Sequence, residues 1–296
     1  MELNTLEITE QSEVFEFASI RQLVNQALKK DFSGPENMPG ISTGFKMLDS
    51  VTGGFQNGHL YTVAVKPGMG KTAFLLSVAN NLAIKQNYSI GIFSSERSSE
   101  KITNRLIESE TGMSLEKLRL GTMKASELDH MYSLVSSIAK AKIFLDDTPA
   151  LSASELIKKS RQLKQVHNVD LIIIDYLELL STSITDTDSR PGQLTKIVQV
   201  IKKIALDLDL PILLFSQISS PFGFVQKPCL EQLPESLSEL SDSVWFVHRS
   251  DLFATPKNGN SKDLVELIVA KQNLLTEPVV VKLTFIESIA KFADFS

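Results

Sequence analysis

Lys71 and Thr72 close the run Val65-Lys66-Pro67-Gly68-Met69-Gly70-Lys71-Thr72, and Asp175 ends the apolar run Leu171-Ile172-Ile173-Ile174 about a hundred residues later. An ammonium, a hydroxyl and a carboxylate are the groups that a magnesium-bound triphosphate requires. A polyphosphate needs many donors at close range, and a glycine-bearing loop exposes backbone N–H groups with no side chain in the way. Pro67, Gly68, Met69 and Gly70 supply such a loop. The helix expected behind it adds positive dipole potential. Lys71 would reach the β- and γ-phosphates, the Thr72 hydroxyl would ligate Mg²⁺, and Asp175 would stand on the other side of the metal. The pair of segments therefore reads as a nucleoside triphosphate site. One position departs from the usual loop: Val65 stands where Gly or Ala is common, which a strand residue tolerates and which makes a tighter, less adaptable loop.

The elements that must hold these groups follow from periodicity. The short apolar run Tyr61 to Val65 precedes the loop and the stretch Lys71 to Ile84, read as amphipathic, follows it, so the loop sits where a strand becomes a helix. Four apolar residues before Asp175 predict a parallel strand buried on both faces, with its acid at the carboxyl edge of the sheet. Strands are expected near 61–65, 89–94, 142–145, 170–175 and 211–216, with helices near 71–85, 99–111, 125–140, 152–166 and 192–208. This is the βα rhythm of an α/β fold, a mostly parallel sheet flanked by helices. After residue 240 the alternating runs 242–248, 264–270, 279–285 and 288–293 predict closing strands, the last of them antiparallel hairpins.

Ahead of the fold, residues 1–17 form an acidic arm without periodicity. In Ser19 to Lys30, Ile20, Leu23, Val24, Ala27 and Leu28 share one helical face. Asp31 to Gly40 is a linker by its Gly and Pro content. The expected organisation is thus residues 1–40 as arm, linker helix and linker, and 41–296 as the α/β domain. A helix on a linker packs either on its own domain or on a neighbouring subunit.

Composition narrows the class. The 296 residues carry one cysteine, Cys229, which excludes an intrachain disulfide and suggests a reducing, cytoplasmic setting. No apolar stretch approaches a membrane span. A net charge of −5 argues against coating nucleic acid with the whole surface, though not against contact through loops. The four histidines are scattered without metal-ligand spacing.

The segment Ile41 to Leu60, with Ser42-Thr43-Gly44-Phe45 and Thr52-Gly53-Gly54-Phe55, resembles the lead-in to the RecA-like ATPase domain of DnaB-type replicative helicases. Phe93-Ser94-Ser95-Glu96 resembles that family's second strand, Asp175-Tyr176-Leu177-Glu178-Leu179 its Walker B segment, Phe215-Ser216-Gln217 its sensor strand and Ala270-Lys271-Gln272 its trans-acting motif. RecA, RadA and KaiC relatives share the lead-in, but the Phe93 to Glu96 and Asp175 to Leu177 matches favour the DnaB type. The resemblance runs from about Ser19 to the C-terminus and lacks the family's separate N-terminal helical collar.

The resemblance implies a RecA-like P-loop NTPase that binds ATP and Mg²⁺, forms a hexameric ring of identical subunits and moves on single-stranded DNA, with a replication loader as a further partner. It implies Glu96 as the base that activates water, from the carboxyl end of a strand adjacent to the phosphate loop; Glu100 and Glu178 are the rivals. It implies Gln217 as a γ-phosphate sensor and Lys271 as a cation reaching the neighbouring subunit's site. DNA contact would fall to Arg190 in the loop Ser181 to Leu194 and to Lys227, with Phe222 and Phe224, in the loop Ser219 to Leu233. Two departures stand out. The family's arginine finger, two residues after Lys271, is Asn273 here, and such a finger is worth on the order of 10³ to 10⁵ in rate. A second family arginine is replaced by Pro234. These leave an alternative: a DnaB-like ATP-binding regulatory or assembly protein with weak hydrolysis.

Overall fold

The computed structural model describes residues 20, 40–181, 189–218, 227–249, 263–272 and 275–295. The chain divides into two compact units, Met1–Pro39 and Gly40–Ser296. The expected arm and, apart from Ile20, the expected helix over 20–28 lie outside the described residues.

Nine strands form one sheet in the order β3-β2-β4-β5-β1-β6-β7-β8-β9. In chain order these are β1 (Leu60–Val65), β2 (Ile90–Ser94), β3 (Ile143–Asp146), β4 (Leu171–Asp175), β5 (Ile212–Gln217), β6 (Ser243–His248), β7 (Asp263–Lys271), β8 (Val279–Ile286) and β9 (Lys291–Asp294). The first six are parallel and the last three antiparallel. Among the described residues the helices are α1 (Lys46–Thr52), α2 (Lys71–Ala79), α3 (Ser99–Thr111), α4 (Leu115–Arg119), α5 (Ala125–Lys140), α6 (Ala153–His167), α7 (Arg190–Asp207) and α8 (Glu235–Leu240).

The continuous apolar runs are explained by two cores, one on each face of the sheet. Tyr61, Val63 and Val65 face one, while Leu60 and Ala64 face the other. Leu171 and Ile173 likewise oppose Ile172 and Ile174. A strand whose alternate residues are all buried shows no polar face, which is why β1 and β4 read as solid apolar blocks. The first core is closed by α2, α3 and the β8–β9 hairpin, the second by α6, α7 and α8.

Helix α2 departs from the sequence expectation. Thr72 to Ala79 are all buried, so it is apolar all round rather than amphipathic. Its outer face is covered by β9 and the segment around α1: Phe74 stacks on Phe45 at 5.7 Å, meets Phe292 edge-on at 5.4 Å, and Ser77 Oγ accepts from the Phe292 N–H at 2.9 Å. Truncating Phe74 to Ala would cost about 3–5 kcal/mol. The last turns, Asn80–Lys85, widen into a π-helix in which Asn81 Nδ2 donates to the Thr43 carbonyl and Lys85 Nζ to Asn81 Oδ1. That side-chain pairing ties the helix to the lead-in segment, where Asp49 accepts from Ser42 Oγ at 2.6 Å and from the Thr43 N–H at 2.7 Å. Residues 288 and 289, expected to open the last strand, belong instead to a 3₁₀ turn over Glu287–Ile289 that lets β9 reverse onto β8.

Candidate functional site

The loop between β1 and α2 is shaped by two glycines. Gly68 has φ +78° with nothing within 4 Å of the position a Cβ would take, so it presents bare backbone to open space. Gly70, at φ +99°, caps α2, and a Cβ there would lie 3.1 Å from the Phe292 ring. Val65 is the last residue of β1 and fully buried, so its branched side chain belongs to the strand. Met69 turns inward: its side chain is in the core and its N–H donates to the Lys66 carbonyl at 3.2 Å. It anchors the loop, while Val65, Lys66, Pro67, Gly68, Gly70 and Lys71, followed by Thr72, line a cavity of 410 Å³.

Lys71 is the centre of the site. Its Nζ lies 2.6 Å from Glu96 Oε2, 2.7 Å from Asp175 Oδ1 and 3.5 Å from the centroid of the Tyr176 ring. Asp175 is 1% exposed, and burial raises its carboxyl above the ordinary value, against the opposing pull of Lys71. Its register partner is Ser94, and Ser95 N–H donates to the Asp175 carbonyl at 3.1 Å, so the chain leaving β2 delivers Glu96 to the site. The position of the Glu96 strand differs from the sequence expectation. The Glu96 strand is not adjacent to the phosphate-loop strand: β4 and β5 stand between, a separation of roughly 14 Å across the sheet. Lys71 nonetheless reaches both Glu96 and Asp175 with its long side chain.

Gln217 ends β5 opposite Val65 and lines the same cavity. Its N–H lies 3.2 Å from both carboxylate oxygens of Glu178, which also accepts from Ser216 Oγ at 2.5 Å. Burial raises the Glu178 carboxyl as well. Glu178 therefore clamps the end of β5, and Glu100, in the first turn of α3, faces Arg119 at 3.7 Å with both exposed. Neither rival reaches Lys71 as Glu96 does.

Lys271 stands elsewhere. It pairs with Val244, which pairs with Thr62, so it lies roughly 10 Å back from the phosphate-loop edge of the sheet. Its ammonium donates to the Ser238 and Glu239 carbonyls at 2.7 and 3.0 Å, and burial lowers its pKa. Arg190 opens α7 rather than lying in a loop, and its guanidinium folds back to donate to the Glu178 carbonyl at 2.7 Å. Lys227 pairs with Glu266 at 2.8 Å. Asn273, Phe222, Phe224 and the acidic loop residues Asp186 and Asp188 lie outside the described residues.

Among the cavity residues outside the sequence expectations are Arg97, Arg105, Arg249 and Phe285. Arg249 had a usable signal. It follows β6, the parallel neighbour of β1, and so must emerge beside the phosphate loop; its guanidinium lies over the Phe285 ring at 4.2 Å. Arg105 has none, being one of two exposed bases on α3, with Lys101. In all, five cationic side chains line the cavity against one carboxylate, Glu96, so the space is built for a polyanion. Thr72 and Asp175 offer the hard oxygen donors that Mg²⁺ takes, and a carboxylate this buried fits a bound dication well.

Residues 40–294 match the DnaB-like helicase C-terminal domain family. The chain belongs to that family. Among its curated relatives, the replicative DNA helicase DnaC of Bacillus subtilis (strain 168) is 32% identical over 99% of this chain and 65% of that protein. The replicative DNA helicase DnaB of Geobacillus stearothermophilus is 34% identical over 86% of the chain and 56% of that protein. The chain thus spans less than two thirds of the length of these relatives. The DnaB-like fold is matched by a structure described as the ATPase domain of G40P, with TM-score 0.85 and 27% identity over 95% of this chain and all of that one. A DnaB-like replicative helicase, whose structure is described together with its interactions with primase, matches at TM-score 0.83 and 26% identity over 95% of this chain and 68% of that one. The nine-stranded sheet with its parallel core is the RecA-like ATPase fold of these DnaB-like helicases. No helix among the described residues is long and apolar enough to cross a membrane.

Proposed function

We propose that this chain is the ATP-hydrolysing motor of a DnaB-type replicative helicase, acting in the cytoplasm as a hexameric ring on single-stranded DNA, with residues 41–296 as the motor and 1–40 as arm and linker. The observation that carries this is Lys71 held between Glu96 and Asp175 at 2.6 and 2.7 Å. These three groups, one ammonium shared by two carboxylates, form a paired site that a triphosphate can enter by exchange: the ammonium passes from the carboxylates to the phosphates. Glu96, one-third exposed, is then released toward the cavity and can take the proton of an attacking water. Thr72 and Asp175 would hold Mg²⁺, which would supply charge neutralisation on the triphosphate. Gln217 shares Glu178 with Ser216, so a change at the γ-phosphate is passed directly to the start of the loop after β5.

Lys271 lies too far from its own phosphate loop to serve it, which supports a role at a neighbour's site. On the DNA side, Lys227 is the better supported contact, since 56% of its side chain is exposed. Arg190 would have to release the Glu178 carbonyl first. The test is strand separation of a forked duplex with ATP; absence of both unwinding and DNA-stimulated hydrolysis removes this reading.

One observation favours a second reading. Lys271 already spends two donors on carbonyls, and the residue two beyond it is Asn273, so the trans-acting charge is weak. A DnaB-like assembly protein would then show ATP-dependent oligomers with hydrolysis near background, raised by Asn273→Arg.

A further inference from the structure

We propose that Arg97 is a catalytic residue of this site, a cation supplied in cis that binds the γ-phosphoryl oxygens as charge develops on them. The inference rests on the ATPase reading above and names a residue which that reading does not use.

Arg97 follows Glu96 on the chain leaving β2, and its side chain lines the cavity with Gly68, Lys71 and Thr72. Its Nη2 is 3.7 Å from Glu96 Oε1, too long for a hydrogen bond, and its Nε is buried without a hydrogen-bond partner among the described residues. A guanidinium carries five donors in a planar fork, and leaving a buried one unmet costs free energy. Nor is this arginine explained as a surface ion pair, since a contact of that length and exposure contributes little. Arg105 shares the cavity, and the repulsion between the two guanidiniums adds to burial in lowering the Arg105 pKa. Two arginines and a lysine set against two carboxylates, Glu96 and Asp175, leave an excess of positive charge that an anion would offset. The unmet Nε donor of Arg97 and this excess of charge point to the same ligand, the terminal phosphoryl group next to the base.

In the reaction, the water oxygen forms its bond to the γ-phosphorus as Glu96 takes the water proton. The bond between the γ-phosphorus and the bridging oxygen breaks, and its electron pair leaves with ADP. Negative charge rises on the bridging and non-bridging oxygens during this exchange. Arg97 keeps its proton throughout and donates N–H groups to a γ-oxygen, the same service an arginine finger performs, here from the chain that binds the nucleotide.

The experiment compares the full chain with Arg97→Ala and Arg97→Lys in steady-state ATP turnover, and measures binding of ADP and of ADP with aluminium fluoride, a mimic of the transferring phosphoryl group. The expected result for Arg97→Ala is a kcat reduced about 10²-fold or more, KM for ATP within a few-fold, unchanged ADP affinity and a lost gain in affinity from aluminium fluoride. Arg97→Lys, which keeps the charge and the Glu96 contact but not the fork, recovers only part of kcat. Wild-type turnover in Arg97→Ala, or reduced turnover with the aluminium fluoride gain intact, overturns the assignment alone. A wild-type chain that binds no ATP overturns it together with the ATPase reading.

Discussion

Lys71 Nζ lies 2.7 Å from Asp175 Oδ1, so the lysine proposed to bind phosphate and the carboxylate proposed to bind magnesium pair with each other. Asp175 is almost fully buried, and without this partner its ionised form would be expensive. Lys71→Ala is expected to lower the stability of the nucleotide-free chain by about 2 kcal/mol at neutral pH, because the remaining carboxylate must lose its charge or sit unpaired. Adding Asp175→Asn to that variant should recover much of the loss. Thermal or denaturant unfolding of the single and double variants checks this; additive losses would contradict it.

Glu178 gives a pH dependence with a definite sign. Burial raises its folded-state pKa above the ordinary glutamate value of 4.5, so the folded chain binds this proton more tightly than the unfolded chain. Its favourable contribution is complete below 4.5 and fades as pH rises through the folded pKa. Glu178→Gln removes the ionisation while keeping an amide oxygen for Ser216 and the Gln217 N–H. Melting temperatures from acid to neutral pH should therefore fall less steeply in Glu178→Gln than in wild type. A parallel pair of curves would show that Glu178 is not held in this way.

The base has its own signature. Glu96→Gln should lose about 10² to 10⁴ in turnover while retaining ATP binding, because the amide keeps the shape but cannot accept the water proton. Turnover and nucleotide affinity measured on the same preparation separate these. Equal losses in both would move Glu96 from catalysis to binding.

Lys271 sits at a different level of the sheet from its own phosphate loop, and this makes a mixing experiment informative. If it serves a neighbour, Lys71→Ala and Lys271→Ala chains, each inactive alone, should recover partial ATP turnover when assembled together, since some sites then combine an intact loop with an intact Lys271. Mixtures that stay inactive at every ratio would confine Lys271 to its bonds with the Ser238 and Glu239 carbonyls.

Most of the parallel sheet was legible because both of its faces are buried, which leaves runs such as Leu171 to Ile174 with no polar interruption. Helices α3 and α5 were legible to the residue, as each exposes a polar face and starts cleanly, α3 behind the Ser98 cap. Helix α2 was misread because what covers its outer side, Phe45 and Phe292, comes from opposite ends of the domain, and such packing leaves no local periodicity. In the site, Lys71, Thr72 and Asp175 announce themselves through loop and strand-end context, which is local. Arg105 and Phe285 join the cavity only through tertiary packing, and the clamp of Glu178 on Ser216 depends on β4 and β5 being neighbours, an order that sequence does not spell out.

The central claim is that the Gly68–Thr72 turn and Asp175 together hold a magnesium-bound triphosphate. Calorimetric titration of ATP with Mg²⁺ into the wild-type chain and into Lys71→Ala addresses it directly. Saturable heat corresponding to one site per chain, lost in Lys71→Ala, is the predicted result. No binding heat from the wild-type chain, or the same isotherm from both, would contradict it.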